Sequence, residues 1–191
     1  MDTTSELWCK KGHFNKDQAD FFMELSKTYK SKYILETGFC TGRSAYSLLK
    51  NGENIIKFIS IDISFDYIKP EGRIMKDKLS AQFPMFKPIE GSSHTILNER
   101  FFMNEFPNGI DWFTVDGDHT YKGCLNDLNT VHKYINPNGI IIIDDYKSGP
   151  PNGCNLIDVT NACNDFHSKH PEFEKTEWNC EGKGFCIFKK I

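Results

Sequence analysis

Short apolar runs alternate with amphipathic segments along most of the chain. Phe21, Phe22, Leu25 and Tyr29 recur at helical spacing and predict a helix over Asn15 to Lys30. "KYILETGF" reads as a first strand, and a helix from Arg43 to Lys50 follows its glycine turn. "IIKFISIDIS" is a second strand ending in Asp62, and a loop and helix fill Asp66 to Phe83. A third strand lies in "FKPIEGSS", before a helix from His94 to Phe102. "IDWFTVDGD" is the fourth strand, Tyr121 to Ile135 a helix, and "NPNG" a turn into the fifth strand, "GIIIIDDY". Its four consecutive isoleucines show no alternation, the mark of a central parallel strand buried on both faces. After the loop "KSGPPNGC" come a helix over Asn155 to Ser168 and two runs, "FEKTEWNC" and "GFCIFKKI". Only "EGKG" separates those runs, which predicts an antiparallel hairpin.

The expected fold is therefore α/β: a doubly wound, mostly parallel seven-stranded sheet closed by a C-terminal hairpin. At 191 residues the chain is expected to form one domain, with residues 1–30 as an N-terminal helical segment.

Composition narrows the function. Hydrophobic and charged fractions of 39% and 26% are those of an ordinary globular protein. A net charge of −3 without a basic block argues against a nucleic-acid partner. No run has the length of a membrane span, and "MDTTSELWCKKGHF" carries no apolar signal core, so a cytoplasmic location and no membrane partner are expected. The seven cysteines then read as reduced thiols. Cys163, His167, His170 and Cys180 lack the paired CxxC spacing of structural zinc sites.

The polar clusters fall at the carboxyl ends of the strands, where open parallel sheets bind ligands. "ETGFCTGRS" places Gly38 and Gly42 at a strand-to-helix turn, where bare backbone and free N–H groups can approach a ligand. Asp62, one strand later, can accept the hydroxyls of a ribose. Gly-x-Gly is missing, so a dinucleotide pyrophosphate would meet side chains. Asp116, Asp144 and Asp145 supply oxygen ligands suited to Mg²⁺ or another hard divalent cation, which could hold and acidify an acceptor hydroxyl. His119, whose ordinary pKa is near neutral, and Asp118 beside it are the two candidates for general base. Trp8, Phe14 and Trp178 are candidates to line an acceptor pocket, against the alternative of a place in the core.

"ILETGFCTGRSAYSLL" resembles motif I of the class I S-adenosylmethionine (SAM)-dependent methyltransferases. With "FTVDGDHTYKGCLNDLNTVHKYINPNGIIIIDDY", the resemblance points to the small metal-dependent O-methyltransferases of the catechol and caffeoyl-CoA type and their sugar and macrolide relatives. It runs from about Ile34 to Tyr146 and implies an enzyme with a Rossmann-like fold. By position it implies Glu36, Gly38, Cys40, Gly42 and Ser44 along the methionine part of SAM, and Asp62 at the ribose with Ile63 beside it. Ser92, Ser93 and His94 would lie at the adenine, and Asp116 would serve both cofactor and metal. The acceptor it implies is a small-molecule hydroxyl, as in a diol, catechol or sugar, and it leaves room for a homo-oligomer. Two other classes stay in view: a Rossmann-type nucleotide-binding oxidoreductase and a catalytically silent SAM-binding protein.

Overall fold

A computed structural model describes residues 14–66, 70–147, 157–180 and 183–191. The elements run α1 (Lys16–Tyr29), β1 (Tyr33–Thr37), α2 (Arg43–Asn51), β2 (Lys57–Asp62), α3 (Glu71–Gln82), β3 (Phe86–Glu90), α4 (Ser93–Ile96) and α5 (Glu99–Glu105). They continue with β4 (Ile110–Val115), α6 (Tyr121–Val131), β5 (Ile135–Ile143), α7 (Ile157–Lys169), β6 (Phe173–Cys180) and β7 (Lys183–Lys190). One sheet holds all seven strands in the order β3-β2-β1-β4-β5-β7-β6. Neighbours from β3 to β5 are parallel, whereas β7 is antiparallel to both β5 and β6. The doubly wound sheet with its closing hairpin is thus observed.

The core lies on both faces of the sheet. Ile141 and Ile143 join one apolar cluster and Ile140 and Ile142 the other, all at 1% exposure or less. Burial of alternate side chains in opposite layers is what an uninterrupted apolar strand requires. Chain order reverses between β1 and β4, and the crevice at such a switch point is where an open sheet binds its ligand.

Three expectations need adjustment. The helix expected over His94 to Phe102 is two: α4 ends at Ile96, and α5 restarts with the Asn98 side chain accepting from the Phe101 N–H at 3.0 Å. The helix from Tyr121 stops at Val131, a 3₁₀ turn covers His132–Tyr134, and Ile135 already pairs with Ile110. "NPNG" is then a bulge within β5: the register jumps to Trp112 opposite Ile140, and Asn138 takes the left-handed φ of 63°. Trp8, most of "KSGPPNGC" and the first two residues of "EGKG" lie outside the described residues.

Candidate active site

The backbone pairing of the sheet runs past its strands. Asp116 N–H donates to Thr37 O at 2.8 Å and Asp144 N–H to Val115 O at 3.1 Å. These bonds fix the acid-bearing residues of β4 and β5 beside the turn after β1. Gly38 in that turn has φ +88°, and a Cβ there would stand 1.9 Å from the Asp116 carbonyl oxygen. Only glycine permits so close an approach of the two loops.

Asp62 braces the same turn. Its Oδ2 accepts from the Phe39 and Cys40 N–H groups at 2.7 and 2.9 Å, and its Oδ1 from Ser64 N–H at 2.9 Å. A carboxylate offers about four acceptor positions, so these three bonds leave room on Oδ1 for one further donor such as a ribose hydroxyl. Glu36 is wholly buried beneath the turn and accepts from the hydroxyls of Ser44 and Ser60. Burial pushes its carboxyl up to about 8 against the opposing hydroxyl hydrogen bonds. Burial and then the nearby Asp116 charge push the Cys40 thiol up to about 11, so Cys40 is a neutral wall rather than a nucleophile. Ile63 projects its apolar side chain into solvent at 72% exposure. Ser92 precedes α4 and Ser93 begins it, both half-buried, with His94 exposed beside them.

The acids converge around His119. Its Nε2 lies 3.1 Å from Asp116 Oδ1 and 3.4 Å from Asp145 Oδ2. The hydrogen bond to Asp116 is the main reason its pKa rises to about 9; burial opposes the rise, and the charges of Asp116, Asp145 and Asp144 add to it. One ligand atom from each of Asp116, His119 and Asp145 falls within 4.8 Å of the others, a donor set able to hold a divalent cation. Asp145 also sits at φ +60°, a left-handed conformation costing a non-glycine residue about 1 kcal/mol. Such strain collects at functional sites.

The three aspartates expected as metal ligands are therefore not equivalent. Asp116 and Asp145 face one another across the imidazole. Asp144 Oδ1 instead accepts from Gln18 Nε2 at 2.9 Å and from Asp145 N–H at 2.7 Å. Asp118 turns aside as well: its Oδ1 accepts from Thr120 N–H at 3.0 Å, and its Oδ2 lies 3.8 Å from His94 Nε2.

Sequence reasoning missed Gln18. It closes a capping box with Asn15 at the start of α1 through its backbone N–H and side-chain oxygen, and its Nε2 donates to Asp144, 126 positions away. The cap was legible in "NKDQ"; the long-range contact had no local signal. Arg43 was also missed. It is buried at the start of α2, where Nη1 donates to Phe14 O at 2.8 Å and pins the N-terminal segment. Phe14 packs edge-on against Phe22, and Trp178 stacks on Phe21 at 4.7 Å, so both belong to an aromatic layer shared with Phe185.

A family model described as a methyltransferase domain, Methyltransf_24, matches residues 35–146, more than half the chain and the whole of this edge. An uncharacterized protein of Acanthamoeba polyphaga mimivirus is 47% identical over 45 residues, a stretch covering 24% of this chain and 20% of that protein. Among solved structures, the O-methyltransferase from Bacillus cereus in complex with SAH superposes with a TM-score of 0.76 at 15% identity, over 99% of this chain and 86% of that one. TomG, an O-methyltransferase from Streptomyces achromogenes involved in tomaymycin synthesis and solved with SAM, gives 0.71 at 14% identity, over 92% and 80%. At such identities the likeness is one of fold. No helix among the described residues is long and apolar enough to cross a membrane.

Proposed function

The chain belongs to the Methyltransf_24 family of methyltransferase domains, and from that premise we propose that it is a SAM-dependent O-methyltransferase assisted by a divalent cation. Its acceptor is a hydroxyl of a small molecule, such as a diol, catechol or sugar. One observation supports this reading most: Asp116, His119 and Asp145 converge within four residues of the ends of β4 and β5, against the Gly38 turn. Bound SAM supplies an electrophilic methyl carbon on a sulfonium.

The chain's own residues then divide the work. Gly38 and Gly42 bring backbone close to the methionine part, with Cys40 as a neutral wall. Glu36 and Ser44 hold that turn from below, and Asp62 takes the ribose while it fixes the Phe39 and Cys40 amides. Ile63, Ser92, Ser93 and His94 surround the adenine. Asp116 and Asp145, with Asp144 beside them, would hold Mg²⁺ or a similar ion, which lowers the pKa of an acceptor hydroxyl and fixes its position. His119 takes the hydroxyl proton, since it lies between the two carboxylates while Asp118 is engaged by its own turn. An imidazole must lose its proton before it can act as a base, so turnover should rise with pH and level off below the value of about 9 that the ion-free carboxylates impose, because a cation on Asp116 and Asp145 offsets their charges. Holding donor and acceptor in line supplies much of the remaining acceleration.

The test is direct. S-adenosylhomocysteine should bind in a calorimeter while NAD does not, and labelled methyl should pass from SAM to members of a diol, catechol and sugar panel only without chelator. Binding of NAD instead would favour an oxidoreductase. SAM binding without transfer to any hydroxyl would favour a silent binding protein, and full turnover in chelator would remove the cation.

A further inference from the structure

A second group of histidines and a carboxylate lies at the other end of the sheet. His132 sits in the 3₁₀ turn that ends α6, His170 follows the last residue of α7, and Glu172 precedes β6. This is the end where β5 begins: Lys190 Nζ donates to Ile135 O at 2.7 Å, and Lys190 pairs with Phe173. The acidic edge lies beyond Ile143, where β5 meets β7 at Cys186. One ligand atom from each of His132, His170 and Glu172 falls within 4.8 Å of the others.

We propose that His132, His170 and Glu172 form a binding site for a divalent transition ion of the zinc class, which clips the α7–β6 turn onto the end of α6. Two imidazoles and one carboxylate are a donor set that zinc accepts, with a further position open to water. At metal–ligand distances of about 2.0–2.2 Å, tetrahedral ligands stand about 3.4 Å apart. His170 Nδ1 and Glu172 Oε1, at 3.0 Å, are already that close.

The surroundings hold these ligands in place. Phe166, fully buried, stacks on the His170 ring at 4.3 Å and meets the His132 ring edge-on at 5.9 Å; the two imidazoles are 4.3 Å apart. The turn is fixed by Phe173 N–H donating to His170 O at 3.2 Å and Ile191 N–H to Glu172 O at 3.0 Å. The backbone of Asn129 and Leu128 lies against the His132 ring, whose Nδ1 is buried, and helps to fix its orientation. Glu172 is 42% exposed along its side chain, which gives an ion a way in. Softer nitrogen donors separate this group from the acidic edge, which offers two carboxylates and suits a harder ion.

The experiment is a calorimetric titration of Zn²⁺ into the metal-stripped full chain, with thermal melts alongside. Wild type should bind Zn²⁺ and melt at higher temperature with it, as expected of an ion that binds only the folded state. Glu172→Gln and His132→Gln should each weaken this binding about 100-fold and abolish the melting shift. Asp145→Asn removes the acidic-edge donor set and should leave this site's Zn²⁺ binding and melting shift intact, and it is the background in which Glu172→Gln and His132→Gln are read. Glu172 is exposed enough that its glutamine variant folds, which the metal-free melt verifies. Zn²⁺ binding and melting shifts in Glu172→Gln and His132→Gln equal to wild type would overturn the proposal. So would a wild-type melt that Zn²⁺ does not move.

Discussion

The two ends of the sheet each hold histidine beside carboxylate, and the same side chain behaves oppositely at each. His119 lies against Asp116 and Asp145, and its pKa climbs to about 9 because the Asp116 hydrogen bond outweighs burial. His132 lies against a second imidazole, and its pKa falls, first because burial disfavours the charge and then because His170 repels it. The sign follows from which cause is larger, attraction to an anion or loss of water. At pH 7 the first histidine therefore carries a proton, and the second presents a lone pair. The acidic edge suits proton transfer, and the opposite edge suits coordination.

The contrast can be broken at its strongest point. Gly38→Ala drives a Cβ into the Asp116 carbonyl from a left-handed backbone, and it should cost roughly 2–3 kcal/mol or more. Binding of S-adenosylhomocysteine should be lost with it, while Zn²⁺ binding at the far edge survives in whatever fraction folds. Asp145→Asn is gentler. Asparagine tolerates the left-handed φ, so a melt should remain near wild type while methyl transfer falls about 100-fold, the loss of a charge from the reacting edge. Gln18→Ala removes a buried amide from Asp144 and should cost about 1–2 kcal/mol in urea unfolding, with transfer reduced only a few-fold.

Smaller effects sharpen the comparison through pH. The folded pKa of His119 is raised, so its ion pair stabilises fully below about 6.5 and is lost as pH rises through about 9. His119→Gln should thus be less stable than wild type at pH 6 by about 1 kcal/mol, discounted for a side chain one-third exposed, and equal to it at pH 10. His132 is depressed, so its neutral form is favoured in the fold and stability falls as pH drops through 6.5 and below. His132→Gln should remove that acid loss, a smaller change of opposite sign. Melts of both variants across pH 5 to 10 decide whether the two histidines differ as described.

Much of this was legible because β-strands write burial into every residue. Ile140 to Ile143 had to be central, and the tight connection before Phe185 had to be a hairpin. The glycine turn and the acids at the strand ends were legible for a related reason: bare backbone and unneutralised charge are costly away from a ligand. What failed was local competition. Helical spacing from His94 to Phe102 concealed the stop at Leu97 and the new cap at Asn98, and Ile135 has the spacing of a helix but pairs as a strand. The roles of the acids were hidden for a different reason. That Asp144 turns to Gln18, while His119 stands between Asp116 and Asp145, depends on side-chain directions set by contacts far apart in sequence.

One measurement bears most directly on the acidic edge as the place of methyl transfer: a crystal structure of the chain with S-adenosylhomocysteine and Mn²⁺, whose anomalous signal locates the ion. The adenosine should lie between Ile63 and His94, the homocysteine along Gly38 to Gly42, and the ion against Asp116 and Asp145. Adenosine density elsewhere, or an ion peak absent from that edge at saturating Mn²⁺, would contradict that placement.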